Sequence, residues 1–250
     1  MKANSKVPAF TLAEVLITLG IIGVVAAMTI PNLIANTNGA KYRSGFKKAI
    51  STLNQAGLMA QAQYDFDYAG ISATNEGDCA SDHPESAMTL CSILNGTLTG
   101  QTFRGTLSDI TMQQNTSSGA SAVVYSNSIS RKHTLPSNLS DWLAYSLADG
   151  SIVAFQAGAS NCTLNIGENL GPTLTTSLSQ CVGFIDVNGI TLPNKEVQCY
   201  HGQASWDLSM NNCYVRNNAS DMTDIFPIVF HDATVEPASD AAKYVLTSSK

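Results

Sequence analysis

Hydrophobic residues fill an almost unbroken stretch from Phe10 to Ile30, in which Glu14 is the only charged residue. A helix of that length is about 31 Å long, close to the thickness of a bilayer's hydrocarbon core. The stretch exceeds the roughly 7–15 apolar residues of an ordinary secretory signal and has an acid near its start. The pattern therefore predicts a membrane-spanning helix. The alternative is a signal peptide that is cut just before Met28.

The pattern changes to an amphipathic one after Pro31. Apolar or small residues recur there at spacings of three and four, which predicts one face of a helix. These residues are Tyr42, Phe46, Ala49, Ile50, Leu53, Ala56, Gly57, Ala60 and Tyr64. Pro31 and the run Asn36–Gly39 predict a bend or a loosened helix between about residues 31 and 40. We expect the stripe to pack on the domain that follows; the alternative is packing against other copies of the chain.

From about residue 70 the aliphatic runs are short and are separated by Gly, Asn, Asp and Ser, which indicates β structure. Two hairpins are predicted at turns of the Asp-Gly or Asn-Gly type. Their strands are Trp142–Leu147 with Ser151–Phe155, and Val182–Val187 with Ile190–Leu192. Further strands are predicted at Val123–Tyr125 and Phe226–Phe230, and a short helix within Ser86–Thr102. Pro227 places the Phe226–Phe230 strand at a sheet edge or delays its start.

Charge is divided unevenly along the 250 residues. Residues 1–64 hold six basic residues and one acid, for a net +5, whereas residues 65–250 hold seven basic residues and eighteen acids, for a net −11. An acidic C-terminal part is a poor match for nucleic acid, so we do not expect nucleic acid as its partner.

All six cysteines lie beyond the apolar start, and no two have C-x-x-C spacing. They are Cys79, Cys91, Cys162, Cys181, Cys199 and Cys213. An even number at wide spacing predicts a disulfide framework in an oxidising compartment. Fifteen connectivities are open, and pairing of neighbours is the one with the shortest loops. The compartment also orients the chain, because the cysteines require the C-terminal part to lie outside the cytosol.

The sequence contains no nucleophile, zinc or phosphate-loop motif, so we expect that the protein is not an enzyme and binds no cofactor. Asp186, Asn188 and Gly189 have the spacing of half an EF-hand loop, but the remaining calcium ligands are absent. We interpret them as a hairpin turn, and we assign no metal.

Glu14 is the most unusual residue of the apolar stretch, since a carboxylate in a membrane segment calls for a cationic partner. Cleavage between Ala9 and Phe10 would create an α-ammonium four residues before it. The sequence from Ala9 through Phe10-Thr-Leu-Ala-Glu14-Val-Leu resembles the prepilin signal of type IV pilins and type II secretion pseudopilins. Ala9 departs from the Gly that this family usually has. Pro31 falls where the family tends to place a proline.

The resemblance implies cleavage between Ala9 and Phe10 by a prepilin peptidase, N-methylation of Phe10 and a role for Glu14 in assembly. Gly20 and Gly23 would let neighbouring helices approach closely. The resemblance also implies an α+β, pilin-like fold, in which a long N-terminal helix, membrane-spanning in its first half, packs on an antiparallel β-sheet head. The implied domains are a leader (1–9), a transmembrane and filament-core helix (10–30), an amphipathic half-helix (31–68) and a disulfide-bonded, β-rich extracytoplasmic head (69–250).

The implied function is that of a structural subunit of a type IV pilus or a type II secretion pseudopilus. The implied partners are other pilin subunits, prepilin peptidase, an inner-membrane assembly platform, and membrane lipid before assembly. The chain would span the inner membrane once, N-terminus inside, and then enter a surface or periplasmic filament. Two alternatives stay open: a minor pilin or tip adhesin whose head binds a surface or an exported protein, and a secreted disulfide-bonded protein with an ordinary signal peptide.

Overall fold

The computed structural model describes residues 11–79, 87–113, 121–126, 138–164, 178, 180–200, 213–216 and 223–248. Its first element, α1, is a helix of 53 residues from Leu12 to Tyr64. Short helices follow at Glu76–Cys79 (α2) and Leu90–Thr97 (α3), and a last helix, α4, spans Asp240–Thr247. The strands are β1 (Thr102–Thr106), β2 (Thr111–Gln113), β3 (Ser121–Val123), β4 (Trp142–Ser146), β5 (Ile152–Gln156), β6 (Val182–Asp186), β7 (Ile225–His231) and β8 (Thr234–Pro237).

Six strands form one antiparallel sheet in the order β1-β4-β5-β6-β7-β8, and β2 pairs with β3 in a separate hairpin. The sheet is covered on both faces. One face packs on α1, and the other carries Trp142, Phe184 and Tyr125 in a second cluster with residues flanking β2 and β3. This double coverage explains why β6 and β7 are buried at every position. The expected α+β architecture, a long N-terminal helix on an antiparallel sheet, is confirmed.

The amphipathic half of α1 faces the sheet, as its stripe of apolar residues predicts. Phe46, Leu53 and Ala60 have no exposed surface, and the Phe46 ring stacks on Phe226 of β7 at 4.3 Å between centroids. Tyr68, just after the helix, donates a hydrogen bond of 2.7 Å from its hydroxyl to the Leu53 carbonyl. The alternative that this stripe faces other copies of the chain is therefore wrong.

Between residues 31 and 40, where a bend or a loosened helix is expected, α1 runs without interruption through Pro31 and Asn36–Gly39, so the expected loosening is wrong and the bend stays a prediction. The hydroxyl of Thr37 donates to the Leu33 carbonyl one turn earlier, at 2.8 Å, so this polar side chain bonds to the helix instead of ending it. One uninterrupted helix thus joins the apolar half to the half that packs on the head.

The hairpin β4–β5 forms as predicted, with Gly150 at a φ of +86° in its turn. The second predicted hairpin does not form. β6 pairs instead with β5 and β7, and Ile190–Leu192 lies in a turn. The amide of Asn188 donates to the carbonyls of Thr191 and Leu192, which closes a compact loop where a strand was expected.

Two other strand expectations need correction. β3 ends at Val123, so the predicted Val123–Tyr125 strand overlaps it by one residue. β7 is an interior strand although it contains Pro227. The Pro227 carbonyl accepts from Ala238, just past the end of β8. Because the N and C=O of one strand residue point the same way, the missing N–H faces this end of β8 and costs no bond to β6.

All six cysteines form disulfides between sequence neighbours: Cys79–Cys91, Cys162–Cys181 and Cys199–Cys213. The first joins α2 to α3, which lies within the region where a short helix was predicted. The second joins the segment after β5 to the residue before β6. The first bridge therefore fastens two short helices together, and the second fastens the segment after β5 to the start of β6.

Candidate functional site: the N-terminal helix

The described chain begins with a closed hydrogen-bond box at the start of α1. Thr11 is the N-cap, and its hydroxyl oxygen accepts from the Glu14 backbone N–H at 3.3 Å. In return, the Glu14 carboxylate accepts from the Thr11 N–H and from the Thr11 hydroxyl, both at 2.9 Å. This reciprocal arrangement satisfies donors that a helix start otherwise leaves unpaired. Glu14 is thus held by its own helix, exposed near the start of the described residues.

The apolar half of α1 contacts no other part of the described chain. Leu16, Ile22 and Leu33 are 61–66% exposed, and α1 contains the only segment of the described residues that is long and apolar enough to cross a membrane. Surface of this kind is costly in water and marks a site for lipid or for partner proteins. The first half of the helix is therefore the candidate functional site.

Small residues leave gaps along this exposed helix. A side chain built at Gly20 or Gly23 would meet no atom within 4 Å, so both positions are open to an approaching neighbour. Pro31 lies on the same exposed half. The two residues of the expected cleavage, Ala9 and Phe10, fall outside the described residues.

A second polar group lies in the head, close to Tyr42, where the amphipathic half of α1 begins to pack on the sheet. The carboxylates of Asp186 and Asp224 are both fully buried. Asp186 accepts from the Tyr125 hydroxyl at 2.8 Å, and Asp224 accepts from the backbone N–H groups of Asn194 and Lys195. The side-chain amide of Asn194, oriented to satisfy its neighbours, also donates to Asp186.

This arrangement explains Asp186 without calcium: it is a buried hydrogen-bond acceptor beneath the helix. Among the described residues no three His, Cys, Asp or Glu side chains form a group able to hold a metal ion. Burial raises the pKa of Asp224 to about 6, although its backbone hydrogen bonds oppose this. Burial, and next the charge of Asp224, raise the pKa of Asp186 well above its ordinary range.

These two acids predict a head that loses stability as the pH rises. A carboxyl whose pKa is raised on folding binds its proton more tightly in the folded state, so its contribution is complete below about pH 4 and is lost as the pH rises through the folded pKa. For Asp224, a pKa near 6 in place of 3.8 corresponds to about 3 kcal/mol. The free energy of unfolding should therefore fall between about pH 4 and pH 7.

The measurement is the melting temperature of the full-length protein in detergent from pH 4 to 7, compared with Asp186→Asn. Other acids, such as Asp109, have a lowered pKa and act in the opposite direction, so the difference between the two proteins is the informative quantity. The variant removes one of two like charges, and its melting temperature should fall less with rising pH. If the melting temperatures of the two proteins fell equally with rising pH, this would contradict a raised pKa for the buried Asp186.

Two features of these sites were missed by sequence reasoning. The capping box has a visible signature, Thr-x-x-Glu at the start of an apolar helix, and could have been found. The pairing of Asp224 with Asp186 has no such signal, because 38 residues separate the two in the chain and only the pairing of β6 with β7 joins them.

Comparison with known proteins adds one match. The family model of the prokaryotic N-terminal methylation motif matches residues 4–30, which includes Ala9, Phe10 and Glu14. No curated protein and no solved structure matches the chain. The match covers the apolar start and includes no residue of the head. Residues 4–30 therefore carry the prokaryotic N-terminal methylation motif, the prepilin-type signal, and they lead into a long helix on an antiparallel sheet that is consistent with a pilin-like fold.

Proposed function

We propose that this chain is a structural subunit of a type IV pilus or of a type II secretion pseudopilus. The observation that carries the proposal is the methylation motif at residues 4–30, joined to a helix whose apolar first half is fully exposed. In this role residues 1–9 are the leader, 10–30 the transmembrane and filament-core helix, 31–68 the amphipathic half, and 69–250 the extracytoplasmic head. The role contains no catalytic step.

Processing comes first in this proposal. Prepilin peptidase cuts between Ala9 and Phe10, and the new N-terminus on Phe10 is methylated. The chain then crosses the inner membrane once, with its N-terminus in the cytoplasm. Three disulfides in the head support this orientation, because such bonds persist in oxidising compartments.

Assembly then exchanges lipid for protein around the apolar helix. Packing apolar helices against one another gains contacts that lipid tails supply less well, and small residues bring the backbones close. The open positions at Gly20 and Gly23 would be contact points for a neighbouring helix, and Pro31 lies where the helix leaves the membrane. Other subunits and an inner-membrane assembly platform are the partners of this step.

Glu14 sets the register in this scheme. Its carboxylate already accepts two hydrogen bonds from Thr11, but both donors are neutral, so its negative charge stays uncompensated. The methylated ammonium of Phe10, in the same or a neighbouring subunit, would supply the opposite charge. A subunit at the wrong height would leave a buried charge without a partner, which is strongly unfavourable.

The experiment for this proposal is co-expression of the full chain with and without a prepilin peptidase. We expect the peptidase to shorten the chain by its first nine residues, and Ala9→Gly, which restores the residue usual in this family, to be cut at least as well. Ala9→Leu, with a bulky residue before the cut, should remain uncut. A chain that keeps its leader with an active peptidase, while a known prepilin is cut beside it, would contradict the proposal.

A further inference from the structure

A cluster of basic residues surrounds α1 at the place where the helix enters the head. Three of them, Lys41, Arg43 and Lys47, come from the helix itself. Arg43, which is only 7% exposed, donates to the Val215 carbonyl at 3.1 Å, and Arg216 follows next in the chain with its guanidinium 3.0 Å above the Tyr200 ring. Lys47 donates to the Ser248 carbonyl at 2.8 Å, at the end of α4. We call these four residues, Lys41, Arg43, Lys47 and Arg216, the basic collar.

The collar carries charge that the described residues do not neutralise. Lys48, the next basic residue of α1, pairs with Asp149 at 3.0 Å. No described carboxylate lies within 4 Å of a collar residue, and the hydrogen bonds of Arg43 and Lys47 go to neutral oxygens. The nearby acids Asp186 and Asp224 are fully buried. Positive charge is thus concentrated at one end of a head that is otherwise acidic.

The length of the helix fixes the height of this collar. No charged residue occurs between Glu14 and Lys41, which are 27 positions apart. In one continuous helix this separation is about 40 Å. A bilayer measures about 40–45 Å when its headgroup layers are included. With Glu14 at the inner boundary, Lys41 therefore lies at the outer headgroups.

The positive-inside tendency does not account for these residues. Basic residues normally concentrate on the cytoplasmic side of a span, and here Lys2 and Lys6 precede the span while four basic residues of α1 follow it. Their position against the orientation rule calls for a different role on the extracytoplasmic side.

We propose that the basic collar binds the headgroups of anionic phospholipids and holds the unassembled subunit upright on the membrane surface. Basic residues at a membrane boundary favour anionic lipid, and the attraction decays within a Debye length. The head contributes Arg216 to the same surface, so lipid binding fixes the head as well as the helix. This inference rests on the proposed insertion of α1 in a membrane.

The test reconstitutes the full chain in nanodiscs of equal parts phosphatidylglycerol and phosphatidylcholine, and native mass spectrometry counts the lipids that the ejected protein retains. We expect the wild type to retain phosphatidylglycerol preferentially. The double variant Lys41→Gln/Arg216→Gln replaces the two exposed residues of the collar. We expect it to lower the preference for phosphatidylglycerol by about tenfold. Lys41→Arg/Arg216→Lys keeps both charges and should retain it.

Arg104→Gln is the control for position, because it removes one positive charge from an exposed residue of the edge strand β1, outside the collar. Equal retention of both lipids by the wild type, or an equal effect of Arg104→Gln, would overturn the inference while leaving membrane insertion intact. A chain that retains neither lipid would overturn the inference together with the proposed function. Normal lipid preference with failed filament assembly in the collar variant would assign the collar to subunit contacts instead.

Discussion

Glu14→Gln is expected to remove the chain from filaments while leaving the membrane helix folded. Gln is accepted at the third position of a capping box, so the hydrogen bonds with Thr11 can be kept. The variant loses the negative charge alone. If that charge pairs with the ammonium of Phe10, a neighbour's ammonium is left uncompensated in the filament core, and we expect about a tenfold or greater loss of assembled subunit.

The measurement is the amount of chain in the sheared surface fraction relative to the membrane fraction. Thr11→Ala is the complementary variant, because it removes the side-chain cap and keeps the charge of Glu14. We expect it to assemble close to the wild-type level. Normal assembly of Glu14→Gln would exclude charge pairing, and failure of Thr11→Ala alone would transfer the role of Glu14 to the capping box.

Gly183→Ala is expected to destabilise the head strongly although it adds only one methyl group. Gly183 lies in the interior strand β6, on the face that packs against α1. A Cβ there would lie 2.5 Å from the Ala154 carbonyl oxygen and 2.8 Å from the Phe230 ring. The carbonyl belongs to the neighbouring strand and cannot move without disturbing the sheet, so we expect a loss of about 2–3 kcal/mol.

Gly158→Ala is the control for this change. Its Cβ would meet only the Gln180 side chain, at 3.9 Å, and its φ is not positive. Such a replacement restricts the unfolded chain and should be neutral or stabilising by up to about 1 kcal/mol. Thermal unfolding of the full-length protein in detergent measures both. Equal melting temperatures for Gly183→Ala and the wild type would contradict the close approach of β5 and β7 to Gly183.

Local patterns in the sequence predict much of this fold. The stripe from Tyr42 to Ala60 has the period of one helix face, and that face is buried. The hairpin β4–β5 is predicted by Asp149-Gly150 between two apolar runs, and Gly150 has a positive φ in its turn. In both cases neighbouring residues alone carry the information, because the periodicity or turn chemistry acts over a few positions.

Several errors arise where distant residues decide the structure. Pro227 predicts a strand that lies at a sheet edge or begins late, yet it lies within an interior strand. For Pro227 the reason is the register of β8, which ends where the proline lacks its N–H. The Asn188-Gly189 sequence predicts a hairpin, but β6 pairs with β7, which begins 39 residues after β6 ends.

The candidate site divides in the same way. The apolar helix and its signal can be read from residues 4–30 alone, since composition and spacing define them. The buried acid pair and the basic collar cannot, because each joins a residue of one segment to a distant one: Asp186 to Asp224, and Arg43 to the backbone beside Arg216.

Processing as a prepilin is tested most directly by the mass of the N-terminal peptide of the chain recovered from native membranes or sheared surface material. We predict a peptide that begins at Phe10 and carries one additional methyl group. A peptide that begins at Met28 would contradict it and indicate a secreted protein with an ordinary signal. An N-terminus at Met1 would also contradict it and indicate an unprocessed, membrane-anchored head.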